Sequence, residues 1–401
     1  MNGIKTAGIV AEFNPFHNGH ELLIKKIRQM GFSHIAVVMS GNYTQRGEPA
    51  VMLKSARARA AVLCGVDLVL ELPVPFSVSS AEKFAFGAVS ILNSLNIADA
   101  LCFGSECGDI GQLEICAEKL YETDGSPKLA DELKNGVSFP KARANALNEY
   151  SEILSNPNDT LAIEYLKALK KLGSPMMPTA IRRAGARHDG DPAPHENIMI
   201  PSASALRQIV NSGTPWSVKK YMPKRSFLTL AEEMINLRAP FQYTFAEPLI
   251  LSKLRVLSKE NLKTIPDVTE GLENRIFRAA HDACSLEKLY SGIKTKRYTL
   301  ARIRRIILRA FLGIDSSYTA NPPPYLRVLA FNGRGQELLR LVKKASVLPV
   351  ITRYADVSRL GDSAKRLYDL ECRASDLYTL CLPKTLPCGY EQKFTAIKIS
   401  S

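Results

Sequence analysis

Two histidines separated by an asparagine and a glycine, His17-Asn18-Gly19-His20, are the residues of this chain best suited to chemistry. Three positions apart at a helix entrance, both imidazoles can project to one side. Gly19 removes a side chain that would hold a phosphate away from the backbone. The first turn of a helix also presents unpaired N–H groups and the positive end of its dipole, which favour an anion. The chemistry implied is binding of nucleotide phosphates and stabilisation of charge on them. Two histidines that only cap a surface helix would give the same tetrapeptide, so the surrounding elements decide between the readings.

Those elements are a buried strand, a tight turn and a helix over residues 6–30. Ile9, Val10 and Ala11 form a short apolar run without helical period, Asn14-Pro15 breaks it, and Leu22, Leu23, Ile24 and Ile27 resume at helical spacing up to a stop at Gly31. A second buried strand over 34–39 leads into a loop, 40–47, that reads as polar and flexible. Its Arg46 either meets a phosphate or an acetate or is merely solvated. A helix over 53–64 carries Lys54, Arg57 and Arg59, and a strand over 67–72 follows. A helix over 79–95 then precedes a strand over 98–103 that ends at Gly104-Ser105-Glu106. Strands alternating with helices predict an α/β, doubly wound parallel sheet of Rossmann-like type, which binds ligands at its strands' carboxyl ends. Gly104 falls on the same rim as the His17 turn, either letting a nucleotide lie against bare backbone or serving a simple turn. Asn158 opens a further helix, where Asn156 or Asn158 could equally be an N-cap. Arg182-Arg183 closes a strand over 176–183, and a Gly- and Pro-rich loop covers 185–196. Ser202-Ala203-Ser204-Ala205-Leu206-Arg207 opens another helix, whose serines can cap it and donate hydroxyls to phosphate, with Arg207 one turn inside.

With 401 residues, 46% of them hydrophobic and 23% charged, the chain reads as a soluble globular protein of two domains. No apolar run reaches bilayer length, and residues 1–5 lack the pattern of a signal peptide, so a cytoplasmic protein without membrane partners is expected. The eight cysteines include no C-x-x-C pair and read as reduced thiols; no protein-held metal is expected.

The net charge of +14 is unevenly placed. Residues 1–200 hold 20 Lys and Arg against 22 Asp and Glu, whereas residues 201–401 hold 33 against 17. This division suggests catalysis in residues 1–222 and polyanion binding in a mainly helical basic domain, residues 223–401. The densest basic stretch is 295–305, with Lys296, Arg297, Tyr298, Arg302 and Arg305. Arg302, Arg305 and Arg309 recur along one helix face opposite Ile303, Ile306, Ile307 and Phe311. One face can pack while the other meets RNA phosphates, with Tyr298 placed to stack on a base. Solvated arginines on an ordinary helix are the alternative.

At His17–His20 the chain resembles the H-x-G-H nucleotidylyltransferase superfamily, in which two histidines hold nucleotide phosphates while a nucleophile attacks the α-phosphate and pyrophosphate leaves. The longer stretches GIVAEFNPFHNGH, MSGNYTQRGEPA, DLVLELP and FGSE are similar to the bacterial tRNA(Met) cytidine acetate ligases. That resemblance covers most of the chain and is densest before Arg207. It implies an ATP-dependent ligase that activates acetate to acetyl-adenylate, with magnesium accompanying ATP, and then acetylates the wobble cytidine of elongator tRNA(Met). It implies His17 and His20 as the catalytic pair. It also implies ATP contacts at Ile9, Val10, Ala11, Glu12, Phe13, Asn14, Pro15, Phe16, His17, Asn18, Gly19, His20, Glu21 and Leu22, with Gly104, Asn158 and Arg183, Arg182 being the competing arginine. Ser202, Ser204 and Arg207 resemble the superfamily's second phosphate-gripping motif, although Ala203 and Pro201 depart from its usual pattern. A small-molecule nucleotidylyltransferase and a non-catalytic RNA-binding protein with a nucleotide pocket are the competing functions.

Overall fold

The structure, a computed structural model, describes residues 3–124, 129, 131–132, 136–183, 193–195, 198–212 and 214–400. Five strands, β1 (Thr6–Ala11), β2 (His34–Ser40), β3 (Leu68–Leu72), β4 (Ala100–Ser105) and β5 (Met177–Arg182), run parallel in the order β5-β4-β1-β2-β3. Alternation along β2 explains why both faces are covered. Ile35, Val37 and Met39 pack with Ile24 and Ile27 of helix α1 (Asn18–Gln29) and Ala58 and Ala61 of helix α2 (Lys54–Leu63). Ala36 and Val38 face the other way, toward the Ala81–Ser94 and Pro157–Leu172 helices. The strand order reverses at β1, which has β2 on one side and β4 on the other. The turn bearing the two histidines therefore leaves the sheet at its topological switch point.

A short antiparallel pair, β6 (Ala193–His195) and β7 (Ile198–Ile200), precedes the Ala203–Asn211 helix. The loop expected over 185–196 lies outside the described residues apart from β6. Helices then dominate, as expected of a mainly helical segment: Lys224–Ile235, Tyr243–Arg255, Leu272–Asp282, Leu286–Ile293 and Leu300–Leu312. The apolar stripes of the last four, together with that of the Asp362–Leu380 helix, form one core that also takes in Tyr43, Leu53, Val74 and Val78, while Leu230 of the Lys224–Ile235 helix packs in a separate core with Met52, Leu206 and Val210. No helix of the described residues is long and apolar enough to cross a membrane.

Two features differ from the sequence expectations. The boundary expected at 222/223 does not mark the edge of the sheet. β8 (Leu326–Phe331) pairs antiparallel with β3, β9 (Val350–Ile351) lies beside β8, and β10 (Ile397–Lys398) extends the sheet further. The returning strand covers what would be a row of open N–H and C=O groups on β3. The loop after β2, expected to be flexible, is buried at Asn42, Tyr43 and Thr44. Tyr43 Oη donates to the Ala374 carbonyl at 3.1 Å, Tyr378 Oη to that of Ala50 at 2.8 Å, and Asn42 Nδ2 to Ser375 Oγ at 3.1 Å. Gly47 adopts φ +73°, and a Cβ there would come within 2.4 Å of the Arg305 backbone nitrogen. Its partners lie near the other end of the chain, so local composition carries no sign of the order.

Candidate active site

The histidine turn is built from reciprocal hydrogen bonds. His17 is the N-cap of α1, and its Nδ1 accepts from the Gly19 N–H at 3.1 Å, while His20 Nδ1 accepts from the His17 N–H at 3.1 Å. Each Nδ1 therefore carries a lone pair, which assigns the ring proton to Nε2 in both neutral imidazoles. The rings stack at 3.8 Å between centroids, and Phe13 and Phe16 hold His20 at 5.0 and 5.4 Å. Gly19 is required first by the protein itself, since a Cβ there would stand 3.0 Å from His17 Cε1 and 3.2 Å from Ile200 Cγ2. Asn18 fixes the helix entrance by donating from Nδ2 to the Met199 and Lys220 carbonyls at 3.0 and 3.2 Å.

Both imidazoles are held neutral. Burial, then the charges of Arg183 and Arg207, push His17 down to about 3. Burial, then His17 and Arg183, hold His20 well below the usual histidine range. Two neutral Nε2–H donors beside two guanidinium groups suit an anion, which would offset the arginine charges and raise both histidines again.

The remaining sites expected around the nucleotide converge through Glu106, the residue that follows β4. Glu106 accepts from Asn158 Nδ2 and, at 3.1 Å, from the Asp159 N–H, and lies 3.8 Å from Arg183 Nε. Gly104 leaves room for Arg183, whose Cγ would be 3.3 Å from a Cβ at that position. Both Arg182 and Arg183 are exposed, but it is Arg183 whose charge acts on the two histidines, whereas the Arg182 carbonyl accepts from Lys26 Nζ at 3.2 Å. On the other side, Ser202 Oγ caps the Ala203–Asn211 helix by accepting from the Ala205 N–H at 3.2 Å, and lies 3.3 Å from Ser204 Oγ. Arg207 Nη1 donates to the Asn14 carbonyl at 3.3 Å, bringing that helix onto the histidine turn.

Sequence reasoning missed what shapes the rim beneath the turn. Arg57 is fully buried and donates to the carbonyls of Met52 at 3.2 Å, Ser40 at 3.1 Å, Gly41 and Glu12, tying together the ends of β1 and β2. Glu12 Oε1 accepts from the Gln45 N–H at 2.7 Å. Lys54, also fully buried, pairs with Glu71 at 2.5 Å and Glu391 at 2.7 Å, with Glu371 at 3.9 Å. Burial alone would lower Lys54, but Glu391, Glu71 and Glu371 outweigh it and raise its pKa. The available signal was the helix KSARARAAVL, whose small side chains leave Lys54 and Arg57 to fill the space beneath it.

The basic stretch is more structural than expected. Tyr298 is buried, its hydroxyl 3.4 Å from Glu270 Oε2, so it is not presented to a base as the spacing had suggested. Arg309 is buried too, donating to Asp267 Oδ2 at 2.6 Å and Ser79 Oγ at 2.7 Å. Arg302 donates to the Asp267 carbonyl at 2.8 Å, Arg305 to that of Gln45 at 3.3 Å, and Arg297 pairs with Glu270 at 2.5 Å. Lys296 is exposed.

A parallel sheet with an H-x-G-H turn at its switch point, two neutral histidines and converging arginines defines a nucleotidyltransferase site, and the HIGH Nucleotidyl Transferase family matches residues 4–393. The chain belongs to that family. Within it, the chain is 39% identical to the tRNA(Met) cytidine acetate ligase of Acetivibrio thermocellus, over 98% of this chain and 99% of that protein. It is also 39% identical to the one of Syntrophomonas wolfei, over 94% of each. The chain is thus a member of the tRNA(Met) cytidine acetate ligase family. Among solved structures, Thermotoga maritima TmcAL without ligand superposes with a TM-score of 0.92 at 32% identity, covering 99% of this chain and all of that one. The same Thermotoga protein bound with alpha-thio ATP gives 0.91, with the same identity and coverage.

Proposed function

We propose that the chain is an ATP-dependent acetate:tRNA ligase, which converts acetate and ATP to acetyl-adenylate and pyrophosphate. It then transfers the acetyl group to the wobble cytidine of elongator tRNA(Met), giving N4-acetylcytidine. The observation that carries the reading is the pair of neutral, Nε2-protonated imidazoles between Arg183 and Arg207, in a chain of this family. In the first step an acetate oxygen attacks the α-phosphorus and the bond to the bridging oxygen breaks. The His17 and His20 N–H groups and Arg207 stabilise charge on the phosphates. Magnesium would be held mainly by the triphosphate oxygens and would offset their charge. The turn from Ile9 to Leu22, with Gly104, Asn158 and Arg183, binds ATP, and Ser202 and Ser204 contribute hydroxyls to the leaving phosphates. In the second step the cytidine N4 attacks the acetyl carbonyl, the bond to the adenylate oxygen breaks, AMP leaves, and N4 loses a proton. Such a reaction places the protein with its tRNA in the cytoplasm.

Exchange of label between pyrophosphate and ATP tests the reading. Exchange that requires acetate supports it; exchange that requires another acceptor would instead indicate a metabolite nucleotidylyltransferase. Absence of exchange with any acid would leave only RNA binding.

A further inference from the structure

A cleft of about 890 Å³ is lined by the loop after β2 and by the Ala203–Asn211, Tyr243–Arg255, Leu286–Ile293 and Leu300–Leu312 helices. Glu48 lines it. One Glu48 oxygen accepts from Arg304 Nη1, and the other lies 3.8 Å from Arg207 Nη2. Arg207, which lines the cleft, also donates to the carbonyl of Asn14, so one wall of the cleft is tied to the histidine turn. Tyr243 and Tyr290 line it, and the Arg304 guanidinium lies 5.8 Å from the Tyr290 ring centroid. A second hollow of about 580 Å³ lies across the Leu286–Ile293 helix, lined by Arg275, Arg278 and Lys288, and the two hollows share Ser291. All three of those cations are exposed.

We infer that the cleft receives the acceptor nucleoside, an unpaired pyrimidine swung out of an RNA loop, and that the hollow across the helix holds the phosphates beside it. The inference rests on the ligase reading, which supplies a cytosine amine as the acceptor. The chemistry of the walls matches that ligand. Tyrosine rings offer a stacking platform for a base, a carboxylate accepts from the N4–H₂ edge of cytosine, and cations across one helix suit the flanking phosphates. A small metabolite acceptor would have no use for the second hollow, and a protein partner would have none for a carboxylate held between two arginines beside a nucleotide site. The base enters from the helical side, so its amine reaches the adenylate past Arg207 without displacing the nucleotide. This arrangement puts RNA contacts on the 272–293 region, whereas charge density along the sequence pointed to 295–305.

The test uses the full chain and an anticodon stem-loop RNA with 4-thiouridine at the acceptor position. Irradiation should crosslink the RNA to the Tyr243–Arg255 or Leu286–Ile293 segments, and Tyr290→Ala should abolish that crosslink. The triple variant Arg275→Gln, Arg278→Gln, Lys288→Gln removes three candidate phosphate contacts and should raise the Kd by roughly 30-fold at moderate salt, with a shallower salt dependence. Neutralising Arg340, Lys343 and Lys344, on the helix that covers β2, β3 and β8, serves as the charge-matched control and should change the Kd by less than about 2-fold. Crosslinks confined to other segments, or a triple variant that binds like the control, would overturn the inference. If wild-type protein crosslinks in the cleft but shows no acetate-dependent exchange, the ligase reading falls while the RNA site stands.

Discussion

Replacing His20 by alanine and by asparagine should separate its two duties. Its Nδ1 accepts the His17 N–H at 3.1 Å, and its ring contacts Phe13, Phe16 and His17. Alanine removes the cap hydrogen bond, worth about 1 kcal/mol, and aromatic contacts worth about 1 kcal/mol more. The total of about 2 kcal/mol should lower the Tm by only a few degrees in a chain of this size. Asparagine can return an acceptor to the position of Nδ1 but offers nothing at Nε2, so it should recover about half of the stability. Catalysis should not recover. A preorganised donor aimed at developing phosphate charge is worth roughly 10²–10³ in rate, and both variants lack it. Acetate-dependent pyrophosphate exchange at saturating ATP, measured beside thermal melts, gives both quantities on one sample. An asparagine variant that exchanges within tenfold of wild type would refute the assignment of Nε2 as the donor. An alanine variant that fails to fold would refute the modest cost assigned to losing the cap hydrogen bond and the ring contacts.

Stability should respond to pH through His17. Its folded pKa of about 3 lies below the ordinary 6.5, so the native state favours the neutral ring, and stability is lost as pH falls below about 6.5 toward 3. The loss approaches ~1.4 kcal/mol per pH unit, and the urea midpoint difference between pH 7 and pH 5 should shrink in His17→Asn; an unchanged difference would contradict the mechanism. Lys54→Met leaves Glu71, Glu371 and Glu391 buried without their lysine and should cost roughly 3–5 kcal/mol, partly restored by adding Glu71→Gln; chemical denaturation of both variants checks this. Arg305→Gln should lower the Tm because it cuts the tie to Gln45, whereas Lys296→Gln should leave the Tm unchanged and weaken RNA binding by only about threefold.

Much of the sheet was legible because its signals are local. The apolar run Ile9–Ala11, the Asn14-Pro15 break and the helical spacing from Leu22 to Ile27 need no distant partner, and they put the histidine turn at a strand's carboxyl end. The helix start at Ser202 was legible for the same reason, since a capping serine acts on its own helix. Burial of charge was not legible. Lys54 looks like an ordinary helical cation, and its burial is made tolerable by Glu71 together with Glu371 and Glu391, the last two brought in from near the C-terminus. Tyr298 and Arg309 looked available for RNA for the complementary reason: their partners Glu270 and Asp267 sit in a turn that periodicity does not place beside them. β8 was passed over because the surrounding helical pattern dominates, although LRVLAF is an apolar run of strand length. The hydrogen bonds that set the two histidine tautomers are backbone geometry, which residue identity alone does not contain.

The most direct test of the account is to incubate the protein with ATP, labelled acetate and tRNA, without acetyl-coenzyme A, and to digest the RNA to nucleosides. The account predicts label in N4-acetylcytidine from elongator tRNA(Met), with one AMP and one pyrophosphate released for each acetyl group transferred, and no product in His20→Asn. Label that never enters cytidine, or that enters only when acetyl-coenzyme A replaces ATP and acetate, would contradict it.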